Sequence, residues 1–213
     1  IIMNINITNI SARPDAKRGY VRERILRVLL NNQKEKLTKY KIMKLADANI
    51  SWVIEFLRKL EKQGLVNGTI VKDYQGLLAM WKSIRIEPET REYMVRDILD
   101  LLRRTDMKYA LTTYSAENLV QKYLFPSRID FYILPKDQQK WHDMLSEKGL
   151  VGKGNVRVLM TDEHIFYNSF VRDGLTAVSV PQIIVDLMVE GLVAGEAAEM
   201  LLKKEEESSV SRL

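Results

Sequence analysis

Between residues 37 and 66 the apolar side chains recur at spacings of three and four. Ile50, Val53, Ile54, Leu57 and Leu60 make one stripe of a helix, and its other face carries Trp52, Glu55, Arg58, Lys59 and Lys62. Ser51 stands where an N-cap belongs and Gly64 where a helix stops. A shorter helix precedes it, capped by Thr38 and turning Ile42, Leu45 and Ala46 inward. Ala46 is small enough for two helices to cross closely, and Asn49-Ile50-Ser51 makes the turn between them. A still earlier helix over 17–32 aligns Val21, Ile25, Val28 and Leu29 and leaves Arg18, Arg22, Arg24 and Arg27 off that face. After Gly64, residues 65–71 read as a strand folded tightly at Asn67-Gly68. Residues 1–10 alternate apolar and polar, which fits an edge strand or a loose lead-in equally.

Further along, Leu77, Leu78 and Trp81 predict a connecting helix over 73–83 with Asp73 as its cap; a second wing strand through 77–81 is the alternative. Residues 84–92 are charged and contain Pro88, the best boundary in the chain. Beyond it the pattern predicts a helix over 95–104, a strand over 109–111 and a turn at 112–115. Ser115 then caps a helix to about 124. A buried strand over 128–134, a helix over 136–148 ending at Gly149, and strands over 155–160 and 176–180 follow. Pro181 opens a helix carrying Ile183, Ile184, Leu187 and Met188, at the position where proline is tolerated. A last helix covers 196–204, and 205–213 read as a frayed tail.

Helix, helix, helix, wing over 17–72 is similar to the winged helix-turn-helix family. The pattern is carried by Leu37-Thr38, Leu45-Ala46, Ile50-Ser51, Val53, Leu57, Leu60-Glu61 and Gly64-Leu65-Val66. Residues 73–204 resemble the C-terminal region of AbiEi-type proteins, the antitoxin-repressors of type IV toxin–antitoxin systems, and their archaeal relatives. That likeness rests on the 73–83 segment, Tyr109-Ala110-Leu111-Thr112 with Ser115-Ala116, and Asp130-Phe131-Tyr132-Ile133. It continues through Ser179-Val180-Pro181-Gln182 with Asp186-Leu187, and Glu196-Ala197-Ala198-Glu199. The resemblance implies an α+β chain: a DNA-binding winged helix over 1–72, a connecting segment over 73–92, a nucleotidyltransferase-like module of mixed α/β architecture over 93–204, and a tail over 205–213. It also implies a cognate toxin protein as partner.

Charge sharpens this picture. Residues 1–84 hold 16 Lys and Arg against 7 Asp and Glu, whereas residues 85–213 hold 17 against 21. A basic first part joined to a mildly acidic second part suits a nucleic-acid reader with an attached effector module. The chain has no cysteine, which excludes disulfides and thiolate metal sites. No apolar run reaches the roughly 18 residues of a membrane span, and the first residues lack a signal-peptide pattern. Cytoplasmic residence, without a membrane, is the expectation.

A nucleotidyltransferase needs a Gly-Ser turn at a helix start and two carboxylates one residue apart on the next strand. Here the turn is Thr113-Tyr114-Ser115, and Asp130 shares its strand face with Tyr132 rather than with a second acid. The strand over 155–160 carries no acid. His142 and His164 have no second ligand at metal spacing and are expected on the surface. Gly149, Gly152 and Gly154 lack the flanking strand and helix of a phosphate loop and are expected to form a turn. No catalytic residue, metal or cofactor is therefore expected.

The expected function is sequence-specific binding of double-stranded DNA. Asn49, Ser51, Trp52 and Glu55 are the candidates for base edges, Asn49 pairing with adenine and Glu55 accepting from cytosine. Trp52 either packs on a sugar or is half-buried. Arg58, Lys59 and Lys62, with Lys39, Lys41 and Lys44, are expected at phosphates, and Asn67 and Lys72 serve from the wing. Paired half-sites about 34 Å apart imply a homodimer. The rival reading is a protein-docking module.

Overall fold

The computed structural model describes residues 14–33 and 35–210; the segment read as an edge strand or lead-in, 1–10, lies outside them. The first helix, α1 (Pro14–Asn31), is enclosed over its C-terminal half: every residue from 25 to 30 is buried. Ile25, Leu26, Val28, Leu29 and Leu30 supply the apolar bulk, and a helix that is apolar nearly all round belongs in an interior. Arg27 is an exception to its expected place on the outer face, because it is 3% exposed.

Two shorter helices pack on α1: α2 (Lys39–Leu45) and α3 (Ile50–Lys62). Thr38 caps α2 as expected, accepting the Lys41 N–H at 3.1 Å. Ile42 and Ala46 are fully buried, as their inward placement requires. The cap of α3 is Asn49 rather than Ser51: the Asn49 side-chain oxygen accepts from Ser51 N at 2.9 Å. The buried stripe of α3 is Val53, Phe56, Leu57 and Leu60, turned toward Phe56 relative to the expected one, with Ile50 and Ile54 half-buried. Gly64 ends the helix at φ +76, where an L side chain is strained.

A hairpin follows, β1 (Val66–Asn67) with β2 (Ile70–Val71). Asn67 pairs with Ile70, so the tight turn is Gly68-Thr69, one residue later than expected, with Gly68 at φ +62. The connecting segment is a helix, α4 (Tyr74–Ile84), capped by Asp73 as expected. It lies between α1 and the later α8 (Val180–Glu190).

A strand begins within the expected boundary segment 84–92, at Glu89. β3 (Glu89–Val95) pairs with both β6 (Gly149–Val151) and β7 (Val156–Met160). Ladder hydrogen bonds hold β3 whatever its side chains are, which is why a charged sequence concealed it. The helix expected from 95 starts later, as α5 (Ile98–Arg104). β4 (Ala110–Thr112) runs straight into α6 (Thr113–Val120), with no turn at 112–115 and no cap from Ser115. β5 (Ile129–Ile133) is buried throughout, as its apolar run requires. α7 (Gln138–Lys148) ends at Gly149 as expected. β8 (Phe170–Arg172) and β9 (Leu175–Ala177) form a hairpin of which only the second strand was anticipated. The last helix, α9 (Leu192–Val210), is longer than expected and includes much of the proposed tail.

The seven-stranded sheet has the order β6-β3-β7-β5-β4-β9-β8 and is mixed, with β5/β7 and β4/β9 parallel. Its two faces differ in chemistry. Alternation along the strands puts Phe131 and Val158 on one face, where Phe131 packs 5.0 Å from Trp141 of α7. The opposite face carries the row Thr112, Asp130, Arg157 and, next along β5, Tyr132, beneath α8. Gly149 and Gly154 are explained by this sheet: a Cβ on either would overlap the backbone of Met94 or Tyr93 in β3. Gly149 belongs to a strand, so the turn there is shorter than expected. Among the described residues no helix is long and apolar enough to cross a membrane.

Candidate nucleic-acid interface

The exposed side of α3 is a strip of residues spaced by three and four: Ser51, Glu55, Arg58 and Lys62. Lys59 is also exposed but stands to one side. With Trp52, Glu55 and Phe56 it lines a groove of about 550 Å³ against Val21, Arg22 and Ile25 of α1. Trp52 is half-buried in that groove, which decides between its two expected positions. Lys39, Lys41, Lys44, Asn67 and Lys72 are all exposed. Lys39 and Asn67 meet across a second groove of about 540 Å³, formed by the start of α2 and the hairpin tip. Among the described residues, none of Lys39, Lys41, Lys44, Arg58, Lys59, Lys62 and Lys72 enters an ion pair. These exposed cations therefore have no ion-pair partner among the described residues, and Lys44 lies over the Tyr40 ring.

The structure alters one candidate. Asn49 caps α3, and its carbonyl oxygen accepts the Ser51 N–H, which ties this side chain to the start of the helix. Capping instead leaves the Ser51 hydroxyl exposed at the first turn. Glu61, outside the expected set, fixes the β1–β2 hairpin: its Oε1 accepts the Gly68 N–H at 2.8 Å.

A second group of polar residues, unseen in the sequence, lies inside. Asp130 is fully buried and both its oxygens are engaged. Arg128 Nε reaches Oδ1 at 2.7 Å, Arg157 Nη2 reaches Oδ2 at 2.8 Å, and the Thr113 hydroxyl donates to Oδ2 at 2.6 Å. Glu190 balances the two guanidinium groups. Thr113 is β-branched yet adopts φ +48, a strained conformation that the Asp130 bond and the strand-to-helix junction hold in place. Among the described residues no group of three or more His, Cys, Asp or Glu could hold a metal ion.

Next to it, Asp186 of α8 accepts from the Thr112 and Tyr132 hydroxyls, from Gln182 and from Arg85. Gln182 in turn receives Arg27, from Nε at 3.1 Å and from Nη2 at 2.8 Å. Arg27 also lies over the Trp81 ring, whose indole N–H donates to buried Glu23 at 3.0 Å. Burial pushes the Glu23 carboxyl up, against the opposing pull of Arg27 and of its hydrogen bonds from Trp81 and Ile86.

Neither histidine is the free surface residue expected. His142 is half-buried, 3.1 Å from the Tyr93 hydroxyl. His164 sits in a 3-10 turn, Glu163–Phe166, stacked on Tyr167 with centroids 5.0 Å apart. Its Nδ1 faces Arg27 at 3.0 Å and its Nε2 faces the Leu45 carbonyl at 2.9 Å. A guanidinium only donates, so Nδ1 accepts and Nε2 carries the proton. Burial and the adjacent Arg27 charge pull its pKa down to about 4. The available signals were an Arg amid buried positions of α1 and an Asp amid the apolar run of α8; neither names its partner. Comparison with known proteins finds no matching family model, no matching curated protein and no matching solved structure.

Proposed function

We propose that this chain is a sequence-specific, double-stranded DNA-binding transcriptional regulator. The unit formed by α1, α2, α3 and the β1–β2 hairpin acts as a winged helix-turn-helix, with α3 in the major groove. Ser51 and Glu55 meet base edges; Arg58 and Lys62 meet the flanking phosphates, with Lys39, Lys41 and Lys44. Asn67 and Lys72 serve from the hairpin side. The observation that carries the reading is the exposed strip Ser51, Glu55, Arg58, Lys62, whose cations have no protein partner among the described residues.

The resemblance over 73–204 extends this to the antitoxin and autorepressor of a type IV toxin–antitoxin system, acting as a homodimer on paired half-sites. In that reading the C-terminal part is a nucleotidyltransferase-like scaffold without catalysis. The engagement of Asp130 by Arg128, Arg157 and Thr113 supports this, because a carboxylate so held is not available to a metal. A protein-docking role for the same part is favoured by exposed Phe125, Leu192 and Val193 near Glu196 and Glu199.

The test is the affinity of the full chain for labelled duplex DNA across a salt series. Six phosphate contacts give a log–log slope of about −5. Retention at low salt with a steep slope is expected; no retention at low salt refutes the reading. An adjacent gene for a nucleotidyltransferase-type toxin is expected for the antitoxin role, and its absence leaves only the repressor.

A further inference from the structure

The turn between α2 and α3 is held by one contact from far along the chain and one from α1. His164 donates Nε2–H to the Leu45 carbonyl at 2.9 Å. Arg24 donates from Nη1 to the carbonyl and carboxylate of Asp47, 3.2 Å to each, and from Nε to Asp162 at 2.7 Å. Asp162 also accepts the His164 N–H at 3.1 Å, so one small turn reaches Leu45 directly through His164 and Asp47 through Arg24 of α1. That turn follows directly on β7, which ends at Met160. Behind His164 the connection continues through Arg27 and Gln182 to Asp186, which is anchored to β4 and β5 by Thr112 and Tyr132.

The contacts fall where α3 acquires its direction. α2 has seven residues, too few for a helix to be stable by itself. Its final carbonyls lack partners within the helix. Asp47 is at φ +46, an uncommon conformation for a residue with a side chain. The angle between α2 and α3 thus depends on what holds residues 45–47; Arg24 and His164 touch them, and Asp162 accepts from both. Long lysine side chains follow a small rotation of α3 and keep their phosphates. A base edge requires a fixed donor or acceptor position and does not tolerate it.

We propose that Asp162 and His164 are positioning residues of the DNA reader. Through Arg24 and the carbonyls of Leu45 and Asp47 they set the angle of α3, and so determine which base sequence is accepted rather than how tightly phosphates are held. The proposal rests on the DNA-reading function above. It makes the sheet-bearing part of the chain a determinant of specificity without contact to DNA.

The experiment uses the full chain. The wild type first enriches a preferred sequence from a pool of random duplexes about 20 base pairs long, enough for two half-sites. Affinity for the enriched and for a scrambled duplex is then measured for the wild type, Asp162→Asn, His164→Gln and the double variant. A drop of about tenfold in the enriched-to-scrambled ratio is expected for the double variant, the equivalent of one lost base contact. Scrambled-duplex affinity and salt slope are expected to stay at wild-type values. Asp162→Asn retains an oxygen for the His164 N–H and is the milder change. If the double variant does not fold, Asp162→Asn alone is expected to lower the ratio by about threefold, part of that same contact. A smaller drop, or equal loss on both duplexes, overturns the proposal. A wild type that binds no duplex overturns the DNA-reading function instead, whereas enrichment with unaltered ratios in the variants removes only the positioning role.

Discussion

Arg157 Nη2 lies 2.8 Å from Asp130 Oδ2, on residues that pair directly across the parallel strands β7 and β5. A cation therefore sits on the strand next to the buried carboxylate, at the register where a metal-binding sheet would need a further acid. The pair is closed by Arg128, which immediately precedes β5, and by Glu190 from α8 above.

Asp130→Asn leaves Glu190 as the only carboxylate on Arg128 and Arg157 and is expected to destabilise the fold by about 3–5 kcal/mol. Urea unfolding measures this. Millimolar Mg²⁺ is expected to leave the wild-type midpoint unchanged. A midpoint that rises with Mg²⁺ in the wild type but not in Asp130→Asn contradicts the assignment, because it requires a bound ion.

Arg58 and Lys62 lie on the outermost strip of α3, and Lys59 faces the groove against α1. The double variant Arg58→Ala/Lys62→Ala is expected to flatten the log–log salt slope by about two units. Lys59→Ala is expected to change it by less than about half a unit on the same scale. An equal effect from Lys59 would place the DNA over the groove.

His164 is held neutral, with its pKa pulled down to about 4. The unfolded chain takes up this proton near pH 6.5, the folded chain only near 4. The contribution of His164 is therefore complete above about pH 6.5 and is lost as the pH falls toward 4, amounting to about 3 kcal/mol. Glu23 acts in the opposite sense: its carboxyl is raised by burial, so what it contributes is lost as the pH rises through its folded pKa. Unfolding of the wild type and of His164→Gln across this window isolates the histidine. A difference between the two that does not vary with pH would show that the imidazole is not held neutral.

Gly154→Ala puts a Cβ into the Tyr93 carbonyl, where backbone has to move. A loss of about 1–3 kcal/mol by thermal unfolding is expected, with no effect on binding of inorganic phosphate. Phosphate binding by the wild type that this substitution abolishes would return the 149–154 glycines to a ligand role.

The α2–α3 pair was legible because capping and apolar spacing act within four residues, and Thr38, Ala46, Val53, Leu57 and Leu60 do what their spacing requires. So were the exposed Arg58 and Lys62, which are the complement of that stripe. The cap was misplaced by two residues, since Asn49 and Ser51 are both competent and only the backbone path chooses between them. β3 was concealed because its pairing partners lie some sixty residues downstream.

By itself the sequence determined the helices of the first part, the buried run of β5, the α+β character and the basic outer face of α3. All of these follow from local hydrogen bonding and from the periodic separation of apolar and polar side chains. Only the tertiary structure decided that Arg27 is interior, that His164 is neutral and faces Leu45, and that Asp130 is enclosed by arginines. A buried polar group is specified by partners that satisfy it, and for His164 one of those partners lies 119 residues away. No local period records that distance.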